Sequence, residues 1–350
     1  MRNKNTVVFI FTDSYKPVAE NVVGALEKTQ KVYGLTVNER LLMKRLANIK
    51  KGVSDAVCYI KRTFNRILGR GSEGCKSTVI CEKKLGNLFY RYTPSAFVTD
   101  SSDVMHAYNK IKDRIGLKVI SVYDINELGC NGNEIPDFAD FYFADNIDLK
   151  NKLIKNGIVA DKIYVEPIPC EREYFSETDK NPLKIKYFGN QNGFKVLIDG
   201  EGTGKAYSDL FSYVTNYFTD VSFIVYCGGD MDALKCAKLQ GLTAYDASID
   251  RAEAFASADA IIGRGNTVSI KRISALKIPL IIYKPLNKTE KNNAKYLTVD
   301  KRAVYAESVN DVGHLLETLK TEEDIGFDFT DEDSVNRIAD KIIDFIPETN

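Results

Sequence analysis

Short apolar runs alternate with helix-length amphipathic segments along most of the 350 residues, which predicts an α/β protein built on parallel sheets. Length is a second observation, because a chain of this size can bury two separate cores. The third is the stretch from 255 to 297, which reads as helix, buried strand, glycine turn, helix, proline-led strand, polar loop and helix. Within it, Ala260-Ile261-Ile262 and Pro279-Leu280-Ile281-Ile282-Tyr283 have the unbroken hydrophobicity of strands covered on both faces.

In the first half, strands are expected at Thr6–Phe11, Ala96–Thr99, Lys118–Tyr123, Asp140–Ala144 and Ile163-Tyr164-Val165. Helices fall at Ala19–Lys28, Val104–Ile115 and Ile147–Asn156, and Pro167 and Pro169 close the unit. A second unit opens with the strand Lys195–Asp199 and a glycine-rich turn. The helix Tyr207–Phe218, the strand Val221–Tyr226 and the helix Asp232–Leu239 follow. In the tail, Val335, Ile338, Ile342, Ile343 and Ile346 form one helical stripe. No internal repeat or low-complexity tract interrupts this order.

Hydrophobic residues make up 44% and charged residues 27%, as in ordinary soluble domains. The net charge is zero but unevenly spread: residues 1–39 carry +1, residues 40–92 carry +10 and residues 93–350 carry −11. So concentrated a basic segment points to an anionic partner. The seven cysteines are odd in number and form no CxxC pair, which suits a reducing compartment. No apolar run reaches the ~18 residues of a membrane span, and the first strand leaves no signal-peptide cleavage pattern. The expected location is cytoplasmic, peripheral on the inner face of the membrane. Only His106 and His314 exist, each isolated and read as structural, and no metal-ligand spacing appears.

Between the two buried strands, Gly265-Asn266-Thr267 opens the helix Val268–Leu276 at a strand's C-terminal edge, where an open α/β sheet binds ligands and a helix start favours phosphate. The wording of this stretch resembles the nucleotide-sugar half of GT-B glycosyltransferases. The likeness is to monogalactosyldiacylglycerol synthase, processive diacylglycerol glucosyltransferases and the N-acetylglucosaminyltransferase that completes lipid II. It extends over about residues 118–300 and loosely over 5–30, including the phrase Gly157–Pro169 that joins the halves; it fails over 35–92. The resemblance implies two Rossmann-like domains facing a cleft. Residues 1–167 would form an acceptor domain with a basic insert at 40–92, residues 168–328 a nucleotide-sugar domain, and residues 329–350 a helix returning to the first domain.

Carried over residue by residue, the likeness is incomplete. Ser14-Tyr15-Lys16-Pro17-Val18-Ala19 stands where the family reads S-Y-G-x-G-H, so Ala19 occupies the position of a histidine that acts as general base or orienting group. An alanine takes no proton. A carboxylate would have to substitute: Asp124, after the strand ending at Tyr123, is the first choice, before Glu20 and Asp13. Gly200, Gly202 and Gly204 stand where the family carries G-G-x-x-G, a turn whose backbone N–H groups can face a diphosphate; glycines alone also make plain turns. The helix position that holds donor ribose hydroxyls through a glutamate is Arg272 here. Arg272 either grips a phosphate or, with Lys271, is a solvated helix charge. Pro285–Ala294 resembles the loop P-x-P-G-Q-E-x-x-N-A that contacts the donor sugar: Glu290, Asn293 and Ala294 match, and Thr289 replaces the glutamine. Asn293 is also a candidate cap for a following helix. Gly265 and Thr267 complete the donor-binding set, and Cys227-Gly228-Gly229-Asp230 resembles the family's C-G-x-N turn.

The basic segment interleaves Lys61, Arg62, Arg66 and Arg70 with Val57, Tyr59, Ile60, Phe64, Ile67 and Leu68. Lys61, Arg62, Phe64 and Arg66 are the expected membrane contacts, since basic amphipathic helices lie among anionic headgroups; a solvated helical hairpin is the alternative. No nucleic-acid module is visible. The resemblance implies an inverting hexosyltransferase that takes a nucleotide sugar, of the UDP type, as substrate; no cofactor and no metal are expected. The acceptor would be a lipid or polysaccharide at the membrane. A non-catalytic GT-B-like protein binding a nucleotide, a lipid or a partner glycosyltransferase is the alternative, and a nucleotide-sugar epimerase a third.

Overall fold

The computed structural model describes residues 5–12, 15–29, 31–45, 78–125, 135–167, 169–175, 179–190, 193–299, 303–321 and 330–346. Two compact units emerge: unit 1 takes the described residues of 1–126, 131–166 and 335–350, and unit 2 those of 167–334. Unit 1 begins with β1 (Asn5–Phe11), α1 (Lys16–Lys28), β2 (Val32–Asn38), β3 (Met43–Arg45), β4 (Thr78–Ile80) and α2 (Glu82–Tyr92). It continues with β5 (Ala96–Thr99), α3 (Ser102–Ile115), β6 (Ile120–Asp124), β7 (Phe141–Ala144), α4 (Ile147–Lys155) and β8 (Ile163–Val165). Unit 2 runs α5 (Lys180–Phe188), β9 (Phe194–Asp199), α6 (Ser208–Tyr217), β10 (Val221–Gly228), α7 (Met231–Leu239), β11 (Thr243–Asp246) and α8 (Arg251–Ala256). β12 (Ala260–Gly263), α9 (Thr267–Ala275), β13 (Leu280–Tyr283), α10 (Lys288–Val299), β14 (Val304–Ala306) and α11 (Val309–Leu319) complete it. The last helix, α12 (Ser334–Phe345), packs in unit 1.

Each unit is a six-stranded parallel sheet, ordered β2-β1-β5-β6-β7-β8 in unit 1 and β11-β10-β9-β12-β13-β14 in unit 2. In both, the first strand sits inside the sheet and the chain then winds to opposite sides of it. The strand order therefore reverses between β1 and β5 and between β9 and β12, and such a reversal leaves a crevice at the strands' C-terminal ends. Helices cover both faces of the unit 2 sheet. Along β9, Leu197 joins the cluster with α5, α8, α9 and α10, while Val196 and Ile198 join the one with α6, α7 and α11. The two-residue period of a strand sends its apolar side chains both ways.

Caps explain where the helices start. Asn146 accepts from Leu149 N at 2.8 Å, and α3 stops at Gly116, whose φ of 65° suits a left-handed cap. Gly34 in β2 is required by packing, because a Cβ there would lie 2.5 Å from Val23 Cγ1 of α1. Of the strands without a counterpart in the sequence reading, β2, β11 and β14 lie at the edges of the parallel sheets, and β3 and β4 form a separate pair.

Of the basic segment 40–92, residues 40–45 and 78–92 are among those described, and there β3 and β4 pair antiparallel. α2 belongs to the unit 1 core through Leu85 and Phe89, the latter ring 5.8 Å from Tyr108 of α3. Lys84 is spent on the carbonyls of Leu41 and Met43, both at 3.0 Å. Lys61, Arg62, Phe64 and Arg66 lie outside the described residues.

α12 buries Ile338, Ala339 and Ile342 against β1, β5 and α1, and stacks Phe345 on Phe141 with centroids 3.8 Å apart. Arg337 donates to Glu166 at 2.8 Å beside it. Ile342→Ala is expected to destabilise unit 1 by about 2–5 kcal/mol while leaving unit 2 unchanged. Hydrogen exchange read peptide by peptide checks this, and equal loss of protection in both units would contradict it.

Candidate functional site

Unit 2 gathers its polar side chains where β9, β12 and β13 end. Asp199 closes β9 in the core, where Ser269 of α9 donates its hydroxyl to it and the Arg251 guanidinium lies 3.6 Å away. Arg251 also donates to Glu201 at 2.6 Å and lies over the Tyr226 and Phe255 rings at 4.9 and 5.0 Å. Asn266 caps α9 by accepting from Ser269 N at 2.9 Å.

Arg264, directly after β12, ties two distant loops together. Its Nη1 donates to Gly202 O at 3.2 Å and stands 3.1 Å from Glu290 Oε1. Gly202 has φ of +70°, and a Cβ there would sit 2.8 Å from Arg264 Nη2. The buried Glu290 accepts from Leu286 N at 2.6 Å through its other oxygen. Asn293, fully buried, donates to Gly265 O at 3.0 Å and to Thr267 Oγ1 at 3.1 Å. Gly202, Gly265, Thr267, Glu290 and Asn293 thus share one hydrogen-bonded edge, with Thr289 half-buried beside Glu290.

Three expectations need correction. The turn 200–204 does not offer an open cradle of N–H groups. Gly200 N donates to Tyr226 O at 2.8 Å, Thr203 N to Gly200 O at 3.2 Å and Gly204 N to Asp230 at 2.8 Å. Asn293 is no helix cap: it lies inside α10, and Asn287 accepts from Glu290 N at 2.9 Å instead. Arg272 neither awaits a phosphate nor is solvated. It donates through both Nε and Nη2 to Glu171, at 3.2 and 2.5 Å, and lies 5.3 Å over the Tyr174 ring. Burial alone would raise the Glu171 carboxyl, but hydrogen bonds from Arg272 and the charges of Lys271 and Arg272 outweigh it and hold the group at about 2.

In unit 1 the carboxylates stand at the strand ends. Asp124 ends β6 in the core and accepts from the Tyr15 hydroxyl. Asp100, after β5, accepts from Thr12 N at 2.9 Å and from the Thr12 hydroxyl, across the strand-order reversal. Burial raises Asp100 to about 6, against the lowering effect of Thr12. Glu39, after β2, accepts from Ser101 Oγ at 2.5 Å. Glu20 is a different kind of group. It is exposed on α1, 3.7 Å from Lys16. Ala19 is fully buried in the core, and Asp13 lies outside the described residues.

The reading by residue type missed Arg251, Arg264, Asp199, Ser269 and Glu171. Arg264 carried a signal, since it directly precedes Gly265 at a strand end. Glu171 carried none: its partner lies 101 residues away.

The Glu171–Arg272 pair has a measurable consequence. Its stabilisation is complete above pH 4.5, the ordinary value of the carboxyl, and is lost as pH falls toward 2. Arg272→Met is expected to cost about 3–5 kcal/mol at pH 7, because it strands a buried carboxylate, and to remove that acid dependence. Urea unfolding at pH 7 and pH 3 checks both; an unchanged midpoint at pH 7 would refute the assignment.

No protein-family model matches the chain. Over 251 residues it is 26% identical to the processive diacylglycerol beta-glucosyltransferase of Bacillus licheniformis, covering 68% of this chain and 61% of that protein. The chain thus spans about three-fifths of that relative's length. The enzyme of the same name from Bacillus subtilis is 24% identical over 300 residues, covering 82% of this chain and 71% of that protein. Among solved structures, a putative UDP-N-acetylglucosamine 2-epimerase from Listeria monocytogenes superposes with a TM-score of 0.66 at 12% identity, covering 99% and 98% of the two chains. S. aureus MnaA solved with UDP gives 0.61 at 12% identity over 99% of both chains. Acinetobacter baumannii MurG gives 0.58 at 12% identity over 97% of this chain and 95% of that one. The chain is a GT-B-fold protein whose sequence is similar to that of processive diacylglycerol glucosyltransferases.

Proposed function

We propose that the chain transfers a sugar from a nucleotide-sugar donor of the UDP type to a lipid-linked or membrane-associated acceptor, with inversion at the anomeric carbon. One observation supports this most: Arg264 joins the Gly202 turn to the Glu290 loop, the two segments whose wording resembles a donor site. In this reading the diphosphate meets Arg264, a cation whose side chain is 20% exposed at the edge of unit 2. Donor sugar hydroxyls meet the loop around Thr289 and Glu290, since carboxylates and amides suit hydroxyl groups. The solved MnaA chain, which carries UDP, has the same fold, and that supports a uridine nucleotide as the first ligand to try. Asp124 takes the place of the missing histidine as the leading base.

A specific observation favours the non-catalytic alternative. The histidine position is Ala19, sealed in the core, and Arg272 is already committed to Glu171. The two readings part on turnover. Product formation from a panel of nucleotide sugars with membrane extract as acceptor tests them, for the wild type and Asp124→Asn. Loss of a general base costs roughly 10²–10⁴ in rate. Nucleotide binding without turnover on any donor would move the assignment to the non-catalytic protein.

Donor binding is testable by itself. Arg264→Lys keeps the charge but loses the planar guanidinium fork, and a hydrogen bond to a charged group contributes about 1.5–3 kcal/mol, so uridine diphosphate should bind roughly ten- to a hundred-fold more weakly. Calorimetry reads this directly; equal affinity would remove Arg264 from the site.

For the membrane we propose that residues 40–92 bind anionic lipid and release it as salt rises, because screening shortens to ~3 Å at 1 M. Vesicles of phosphatidylglycerol should pellet the wild type at low salt and not a variant with Lys61, Arg62 and Arg66 changed to Glu. Equal pelleting would defeat the membrane contact.

A further inference from the structure

α10 uses two faces for two purposes. Glu290, Asn293 and Leu297 are buried on the inner one. Beside it, Ala294, Thr298 and Val299 line a groove of about 340 Å³ with Pro285 after β13 and Tyr305 of β14, and the exposed Lys291 and Lys295 border it. Residues three and four apart share one side of a helix, so the groove follows the α10 axis. From Lys291 to Val299 that axis runs about 12 Å. β14 is the last strand of its sheet and three residues long, so the groove lies at the margin of unit 2.

The groove is apolar although it is open. Val299 is 74% exposed, Tyr305 40% and Leu286, next to Pro285, 41%. Thr298 donates its hydroxyl to Ala294 O at 2.8 Å, inside its own helix. Apolar side chains gathered in one place differ from those scattered singly over a surface, which need no partner. A peptide seated here would bring an N–H and a C=O with every residue, and apolar walls would not pair them. An alkyl chain brings neither.

The charge beside the groove is unspent. Lys291 and Lys295 are one helical turn apart, and among the described residues neither ammonium has an ion-pair or hydrogen-bond partner. Lys184, Lys186, Lys284 and Lys320, by contrast, are each held by an acid: Asp259, Glu253, Asp209 and Asp220. An apolar groove bordered by two unpaired cations is complementary to a molecule with one alkyl chain and an anionic end.

We propose that this groove binds a single-chain anionic amphiphile of the fatty-acid class, its chain lying along α10 and its carboxylate between Lys291 and Lys295. A volume near the lower end of small-molecule sites, roughly 300–1,000 Å³, takes one chain rather than the pair carried by a bilayer lipid. The ligand therefore comes as a monomer from solution and not from a membrane surface. The site is separate from the membrane contact proposed for residues 40–92 and from Glu290 on the inner face of α10. It does not depend on the transferase reading.

Calorimetry of the full chain with laurate, below the concentration at which it forms micelles, tests this. Laurate should bind the wild type, and equally the variant with Lys61, Arg62 and Arg66 changed to Glu. Affinity should rise roughly four-fold for each methylene between octanoate and decanoate. Dodecyl maltoside, which has the same chain on a neutral head, should bind roughly ten-fold more weakly. Lys291→Glu with Lys295→Glu should remove that preference. Thr298→Trp, which fills the groove from an exposed position, should abolish binding of both, with circular dichroism and thermal midpoint as in wild type. Wild-type laurate affinity in either variant would overturn the proposal, and so would no laurate binding at all. Pelleting on phosphatidylglycerol vesicles that needs Lys291 and Lys295, without monomer binding, would replace it with a membrane contact. A dimer in sedimentation that Thr298→Trp dissociates, without laurate binding, would replace it with a second copy of the chain.

Discussion

The ion pair between Arg264 and Glu290 is the constraint on which the unit 2 edge depends. Glu290 is almost wholly buried, and a carboxylate there is tolerable only with a cation and a donor close by. Arg264 supplies the cation and Leu286 N the donor. The same guanidinium reaches Gly202 O, so the shape of the glycine turn follows from the need to neutralise Glu290. A side chain at Gly202 would break this arrangement by contact alone. Asn293, one turn along α10, then fixes the start of α9 through Gly265 and Thr267. Three loops separated in sequence become one edge through two side chains.

The two units use the same topology for opposite electrostatics. In unit 2 the strand ends carry arginines held by carboxylates, with Arg251 against Asp199 and Glu201 and Arg264 against Glu290. In unit 1 the equivalent edge carries Glu39, Asp100 and Asp124, held by hydroxyls and by a backbone N–H. An edge with guanidinium groups suits an anion, and an edge with carboxylates suits hydroxyl groups. Both sites lie where the strand order reverses or next to it, because only there do neighbouring loops diverge and leave room.

Interior strands were legible in the sequence, while edge strands were not. β9, β12 and β13 are covered on both faces and so read as unbroken apolar runs, such as Ala260-Ile261-Ile262. β11 has no fully buried residue, and β2 mixes buried Val32 and Val37 with exposed Tyr33, so neither shows a run that marks a strand. The candidate positions were visible in the sequence, and their partners were not. Gly202 and Gly265 stand in turns after strands, Asp124 ends a strand, Thr267 opens a helix, and Glu290 and Asn293 lie in the first half of one. Arg272 misled because its position in the helix is visible in the sequence while its partner is not.

By itself the sequence determined the alternation of strands and helices, the two-unit division near Pro167 and the loops that carry polar chemistry. Those follow from hydrophobic period and from glycine and proline, which act over a few neighbouring residues. Tertiary structure alone decided which charges are spent and which are not. Arg272 meets Glu171 across 101 residues and Arg264 meets Gly202 across 62. Pairing of this kind depends on where distant strands end in space, and a carboxylate's chemistry depends on what buries it. Neither is written in the spacing of residues along the chain.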